Sequence, residues 1–431
     1  MRDNHSKGLH RFGTVIVTAA LFASPFPSFA QNVEDLSPED QARFDALKSF
    51  LGKLDSFLPT VNRIDSEDLP VTFQYKDVQA HVVVDMSVDD SEPLPFMLDT
   101  GAPTTVTQHL ADAYGGETIV EVAGAAAGNV IIWTPLKEFK KARIGNSVDV
   151  SNLTAGIGWD AEAFSCISRN GMLGASTMRN AVWQINNANQ TVTVAKSVDQ
   201  LDHVADAIKV PFSYRANTLS PSPIIDLQVG DGTLKVVVDS GGGIPLTFNP
   251  KDLVSVGVEV PGDAPTAANL ASGAAGSFEA EFKAVTIPVG IGDQEIMATV
   301  LVGDGMAPTT AGNMGHVFLK SFVVTFDWST DTMYLDPISE DGKIELFADA
   351  PSANVGFQDG KLVVTTLARG GPADKAGLKL GEVVTAIDGV DVTKFGKDDF
   401  CRIADNDHST LTTEGGKTYD ARKIEGFFSA D

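Results

Sequence analysis

The first strong pattern along the chain is helical. Phe44, Leu47, Phe50, Leu51 and Leu54 recur at three- and four-residue spacing, which places one apolar stripe on a helix. Ser37-Pro38-Glu39-Asp40 predicts where that helix starts, with Ser as N-cap, Pro in the first turn and acids at the positive end of the dipole. From about residue 70 to 338 the period changes. Short apolar runs alternate with Gly, Asn, Asp and Pro, the pattern of an all-β region. After a polar, acidic linker at 336–353, KLVVTTLA (361–368) predicts a strand. The stretch at 371–392 predicts a short helix, a turn and a strand pair.

The β region repeats itself. Val83-Val84-Asp85-Met86-Ser87-Val88 parallels Ile224-Ile225-Asp226-Leu227-Gln228-Val229. Each is followed by a turn and an apolar run ending in acid–hydroxyl–Gly, MLDTGAPTTVT at 97–107 and VVDSGGGIPLTF at 237–248. Ala/Gly-rich stretches follow at 124–128 and 273–276, then Met172-Leu173-Gly174 and Asn313-Met314-Gly315. Gly174 lies 75 residues after Asp99, and Gly315 lies 76 after Asp239. Beyond them, 180–194 aligns with 321–335, two strands around a polar turn. Matched order over successive segments implies two tandem copies of one β unit. The Ala/Gly-rich stretches read either as plain turns or as hairpin tips that close over a ligand.

Residues 1–30 look like an export signal. Arg2, Lys7 and Arg11 precede a short apolar core at 14–23, and Ser28-Phe29-Ala30 supplies small residues for a cut near Ala30. The core is too short to span a bilayer, and no cysteine follows the cut closely enough for a lipid anchor. The expected location is therefore the periplasm or the outside of the cell, with no membrane span. Boundaries follow: signal 1–30, helical segment 31–65, β units 66–200 and 207–338, and a third region 350–431. A propeptide role for 31–65 stays open.

Composition narrows the function. The 431-residue chain has 43% hydrophobic and 21% charged residues, ordinary for a globular protein. A net charge of −25 argues against nucleic acid as partner, since phosphate recognition needs a basic surface. Cys166 and Cys401, the two cysteines, fall in different regions and are expected to be unpaired small hydrophobes. The seven histidines form no His-Glu-x-x-His pattern, and neither a Gly-x-Ser-x-Gly elbow nor a phosphate loop occurs. No metal or cofactor is expected.

The repeated acid–hydroxyl–Gly suits one site on a pseudo-twofold axis. Facing carboxylates of Asp99 and Asp239 would hold one proton between them, so that one polarises a carbonyl while the other takes a proton from water. Thr100 and Ser240 offer hydroxyls to lock the two loops together. Gly101 and Gly241 lack a Cβ and allow close backbone approach.

Phe96–Ala102 and Val236–Gly242 resemble the D-[TS]-G-[ASG] active-site signature of aspartic proteases. Gly171–Gly174 is similar to the hydrophobic–hydrophobic–Gly element that braces such a loop, and 315–327 resembles the tail of bacterial retropepsin-like proteins. The resemblance covers about residues 70–338. It implies a mainly β fold of two tandem acid-protease-like β-barrel lobes forming a bilobal pseudo-dimer. It also implies Asp99 and Asp239 as the catalytic pair, supported by Thr100, Gly101, Ala102, Ser240, Gly241, Gly242, Gly174 and Gly315. Two departures stand out: Asn313 replaces a hydrophobic brace residue, and Gly242-Gly243 loosens the second loop. No flap tyrosine is assignable.

The third region resembles a bacterial protease-associated PDZ domain (α+β), most closely over 373–389. There Val355, Gly356 and Phe357 are similar to the loop that receives a peptide carboxylate. The resemblance implies binding of a peptide C-terminus or extended segment as an added strand; a module that only packs on the β units is the other reading. The expectation overall is an exported, monomeric aspartic endopeptidase acting on polypeptides. A non-catalytic peptide-binding scaffold with the same fold is the alternative.

Overall fold

A computed structural model describes residues 38–65, 67–126, 130–158, 164, 166–215, 218–273, 276–304, 310–339, 349–404 and 406–428. The proposed signal at 1–30 and the cap at Ser37 lie outside these residues, as do residues 340–348 of the acidic linker. The fold is mainly β, with barrel-like sheets. Among the described residues no helix is long and apolar enough to cross a membrane.

The expected helix forms at Pro38–Leu51, with Phe44 and Leu47 buried. It lies on the long hairpin made by Thr118–Ala126 and Val130–Ile144. Leu47 joins Val120, Val122 and Leu136 in one apolar cluster, Phe44 meets Trp133 edge-on at 4.8 Å, and Arg43 pairs with Glu121 at 2.8 Å. The chain then runs along the first β unit. Asn62 is buried and donates to Thr154 Oγ1 at 3.0 Å, while Thr154 N donates to Asn62 Oδ1 at 2.7 Å. Residues 61–64 are thus built into the first β unit.

The two repeats have matching local topology. In the first, Leu94–Asp99 lies parallel to Gly171–Gly174, placing Asp99 opposite Gly174. In the second, Gly232–Asp239 lies parallel to Gly312–Gly315, placing Asp239 opposite Gly315. The repeats meet through equivalent strands, Val182–Asn186 and Phe322–Asp327, which pair antiparallel. The register centres on Gln184 opposite Thr325, and Gln184 Nε2 donates to Thr325 Oγ1 at 2.9 Å. These two residues are repeat equivalents, so the local symmetry is a twofold. One continuous core fills both repeats, from Val84, Phe96 and Leu98 to Val236, Val238 and Phe326. Val71–Gln74 and Thr191–Ala195 flank this seam on one side, Thr332–Pro337 and Ile208–Ser213 on the other.

The C-terminal region has its own core, including Val355, Leu367, Leu378, Ile387 and Leu411. It does not hang free. Its strand Lys361–Ala368 pairs with Thr266–Gly273 of the second repeat's hairpin, Ala267 opposite Ala368, so one sheet runs from the repeat into this region. Arg369 pairs with Glu281 at 2.8 Å beside that seam.

The cysteine expectation is corrected here. Cys166 and Cys401 form a disulfide, with Cα atoms 5.0 Å apart and a sequence separation of 235. Their placement in different regions of the chain argues for free thiols. The packing of the helix Lys397–Ile403 onto the loop before Gly171 brings them together, and Arg169 and Asp398 form an ion pair alongside.

Candidate active site

Asp99 and Asp239 each end a buried strand, and the fold brings them face to face. Asp99 is fully buried and Asp239 is 3% exposed. Their loops are interlocked by the two hydroxyls. Thr100 N donates to Ser240 Oγ at 3.0 Å, and Ser240 N donates to Thr100 Oγ1 at 3.0 Å. Each hydroxyl then donates across the seam: Thr100 Oγ1 to the Val238 carbonyl at 2.8 Å and Ser240 Oγ to the Leu98 carbonyl at 3.1 Å. Each hydroxyl both accepts and donates, so four hydrogen bonds satisfy six buried polar groups at the base of the site.

The glycines explain how close the carboxylates come. A Cβ on Gly241 would sit 2.2 Å from Asp99 Cγ, and one on Gly101 would sit 2.7 Å from Asp239 Cγ. Any side chain at either place would displace the opposite acid. Gly101 N donates to Asp99 Oδ1 at 2.7 Å. Burial, then the adjacent Asp239 carboxylate, push the Asp99 carboxyl well above the usual carboxylate range. Two acids this close in a low dielectric favour one shared proton.

The remaining loop residues sit around this pair. Ala102 is buried, and its carbonyl accepts from Ala175 N at 2.8 Å. Gly242 N donates to the Asp239 carbonyl at 3.1 Å, and its own carbonyl accepts from His316 N at 2.7 Å. Gly174 N donates to Thr104 Oγ1 at 3.0 Å, whereas Gly315 N donates to the Pro245 carbonyl at 3.2 Å. The second loop is longer: Thr105 follows Asp99 by six positions, while Thr247 follows Asp239 by eight, and both lie opposite the same brace position. Gly241 and Gly242 match Gly101 and Ala102, so the extra length falls after Gly242, where buried His81 lies against Gly243.

Two residues near the pair escaped sequence reasoning. Asn313, read as an irregular brace, donates through Nδ2 to Asp239 Oδ2 at 2.9 Å. Its sequence signal was a polar residue where the first repeat carries Met172. His81 gave no signal, because its place beside the second loop depends on how the repeats pack. Burial lowers its pKa to about 4, so it is neutral at higher pH.

The Ala/Gly-rich stretches fall at the ends of the two long hairpins, Thr118–Ala126 with Val130–Ile144 and Thr266–Gly273 with Gly276–Ile291. Residues 127–129 and 274–275 lie outside the described residues.

A second candidate site lies in the C-terminal region. Val355, Gly356 and Phe357 occupy the strand Ala353–Gln358 rather than a loop, paired with Val364, Val363 and Leu362. That strand stands last in its sheet. Phe357 stacks on Phe400 of the helix Lys397–Ile403 at 6.3 Å, which sets strand and helix side by side.

Comparison with known families gives one finding: residues 363–414 match the sequence model of the PDZ domain. The chain finds no match among curated proteins. Residues 363–414 are therefore a PDZ domain, a peptide-binding module.

Proposed function

We propose that this chain is an exported aspartic endopeptidase whose PDZ domain binds polypeptide. The observation that carries the reading is the facing pair, Asp99 and Asp239, held by the reciprocal Thr100–Ser240 hydrogen bonds. With one proton on the pair, a water bound between the acids is activated by the ionised member. The protonated member polarises the scissile carbonyl and then supplies its proton as the tetrahedral intermediate breaks down. Each step uses only these side chains and water. The substrate is an extended polypeptide, because a peptide bond must reach a pair recessed between two β units. One chain supplies both acids, so a monomer suffices.

The PDZ groove between Ala353–Gln358 and Lys397–Ile403 takes the edge of a peptide, either substrate or regulator. The disulfide supports export, since such bonds persist in oxidising compartments.

The test uses the full chain without its signal, incubated with unfolded casein from acid to neutral pH. Asp99→Asn and Asp239→Asn run in parallel, and products are read by mass spectrometry. Internal cleavage by the wild type and its loss in both variants is the expected result. Intact casein at every pH, together with peptide capture by the PDZ groove, would favour the non-catalytic scaffold.

A further inference from the structure

The two acids are not equivalent, and the difference lies in the brace strands. At matching register positions the first repeat presents Met172, opposite Met97 and Thr105, and the second presents Asn313, opposite Val237 and Thr247. Met172 is buried among Val83, Met97 and Ala102 and offers no proton. Asn313 is 4% exposed and turns its Nδ2 to Asp239 Oδ2 at 2.9 Å. Its backbone is fixed from the other side by Thr247, whose hydroxyl accepts from Asn313 N at 3.3 Å and donates to Asn313 O at 3.2 Å. Neither loop carries a hydroxyl three residues after its acid, where Ala102 and Gly242 stand. The Asn313 amide is thus a side-chain donor that one acid has and the other lacks.

We propose that Asn313 is a positioning residue that breaks the symmetry of the pair, holding the negative charge on Asp239 and leaving the shared proton on Asp99. A donor aimed at a carboxylate oxygen favours the ionised form, and strongly so in a buried site. Both acids end buried strands, lie beside glycine loops and face each other, and backbone N–H groups, Gly101 and Gly241 for Asp99, are the further donors. The other titratable groups around the second loop are His316, which follows Gly315, and His81 beyond Gly243, near the Asp77–Lys320 ion pair. Burial keeps His81 neutral above about pH 4, so it supplies no competing charge. The high proton affinity of Asp99 agrees with this order. The assignment rests on the endopeptidase reading for its catalytic meaning: Asp239 would take the proton from water and Asp99 would polarise the carbonyl. The reversed amide, with Oδ1 toward Asp239, would instead favour a proton on Asp239, so the order of ionisation decides between them.

The experiment follows both acids directly. The full chain is labelled with 13C at aspartate side-chain carboxyls, resonances are assigned with Asp99→Asn and Asp239→Asn, and pH is titrated. In the wild type the Asp239 carboxyl is expected to ionise in the first, more acidic step, with Asp99 ionising only in the second. In Asn313→Met, which copies the first repeat, the first step should move up by roughly one to two pH units and be shared more evenly. Asn313→Ala should do the same, and it covers the case in which Met does not fit. Where casein is cleaved, the acid limb of kcat/KM should move by the same amount with KM little changed. Asp99 ionising first in the wild type, or variants that titrate like the wild type, would overturn the assignment. A wild type that titrates as expected yet cleaves nothing would leave the assignment standing and sink the endopeptidase reading.

Discussion

Gly241 shows how tightly single residues set this site. A methyl there would meet Asp99 Cγ at 2.2 Å, so Gly241→Ala should push Asp99 out of line and lower cleavage by about a hundredfold or more. Casein kinetics, with circular dichroism to check folding, measure this. Asp99 carries a stability consequence of opposite sign. Its folded-state pKa is raised, so its contribution is favourable in acid and is lost as pH rises through that value. Asp99→Asn should therefore stabilise the protein at neutral pH, by on the order of 1 kcal/mol, while abolishing cleavage; urea unfolding at pH 7 measures it. His81 titrates the other way. Its folded value of about 4 lies below the ordinary 6.5, so its contribution is fully present above pH 6.5 and falls away as pH drops towards 4. The span corresponds to about 3 kcal/mol. His81→Gln, compared with wild type from pH 4 to 7, should flatten that part of the pH dependence, and parallel curves would contradict it. Asp99, Asp239 and their glycines were legible in the sequence because the motif occurs twice at matched spacing. The donor role of Asn313 was not, because which oxygen a side chain reaches depends on cross-strand register.

At the scale of elements, the helix Lys397–Ile403 does two jobs. Phe400 stacks on Phe357 of the strand Ala353–Gln358, and Cys401 ties the helix to the loop leading into Gly171–Gly174 beside Asp99. Cys401→Ser should lower the free energy of the first unfolding transition by about 2–5 kcal/mol. Denaturant titrations of wild type and variant without reductant measure it, and reduction should bring the wild type to the variant's curve. The helix, the strands and the hairpins followed from hydrophobic period, since Phe44 and Leu47 repeat helically and KLVVTTLA is a strand to the residue. The disulfide did not, because nothing local to Cys166 or Cys401 records that a helix of one region packs on a loop of another. The strand placement of Val355-Gly356-Phe357 was hidden for a similar reason: Gly in a short motif reads as a loop until its pairing with 362–364 is known.

At the scale of the whole molecule, accessory parts brace both long hairpins. The N-terminal helix lies on the first, and the PDZ strand Lys361–Ala368 extends the second. A peptide added to Ala353–Gln358 would thus extend a sheet that reaches back to Asp239 through successive strands. Removing residues 350–431 should uncover the edge of Thr266–Gly273 and leave Cys166 without its partner, so the truncated protein should aggregate where the full chain does not. Light scattering at equal concentration checks this. The most direct measurement of the central claim is kcat/KM for one unfolded polypeptide substrate across acid to neutral pH, for wild type, Asp99→Asn and Asp239→Asn. The shared-proton pair predicts a bell-shaped profile for the wild type and a loss of about a thousandfold or more in each variant. Cleavage by either variant within tenfold of the wild type, or a wild type silent at every pH, would contradict it.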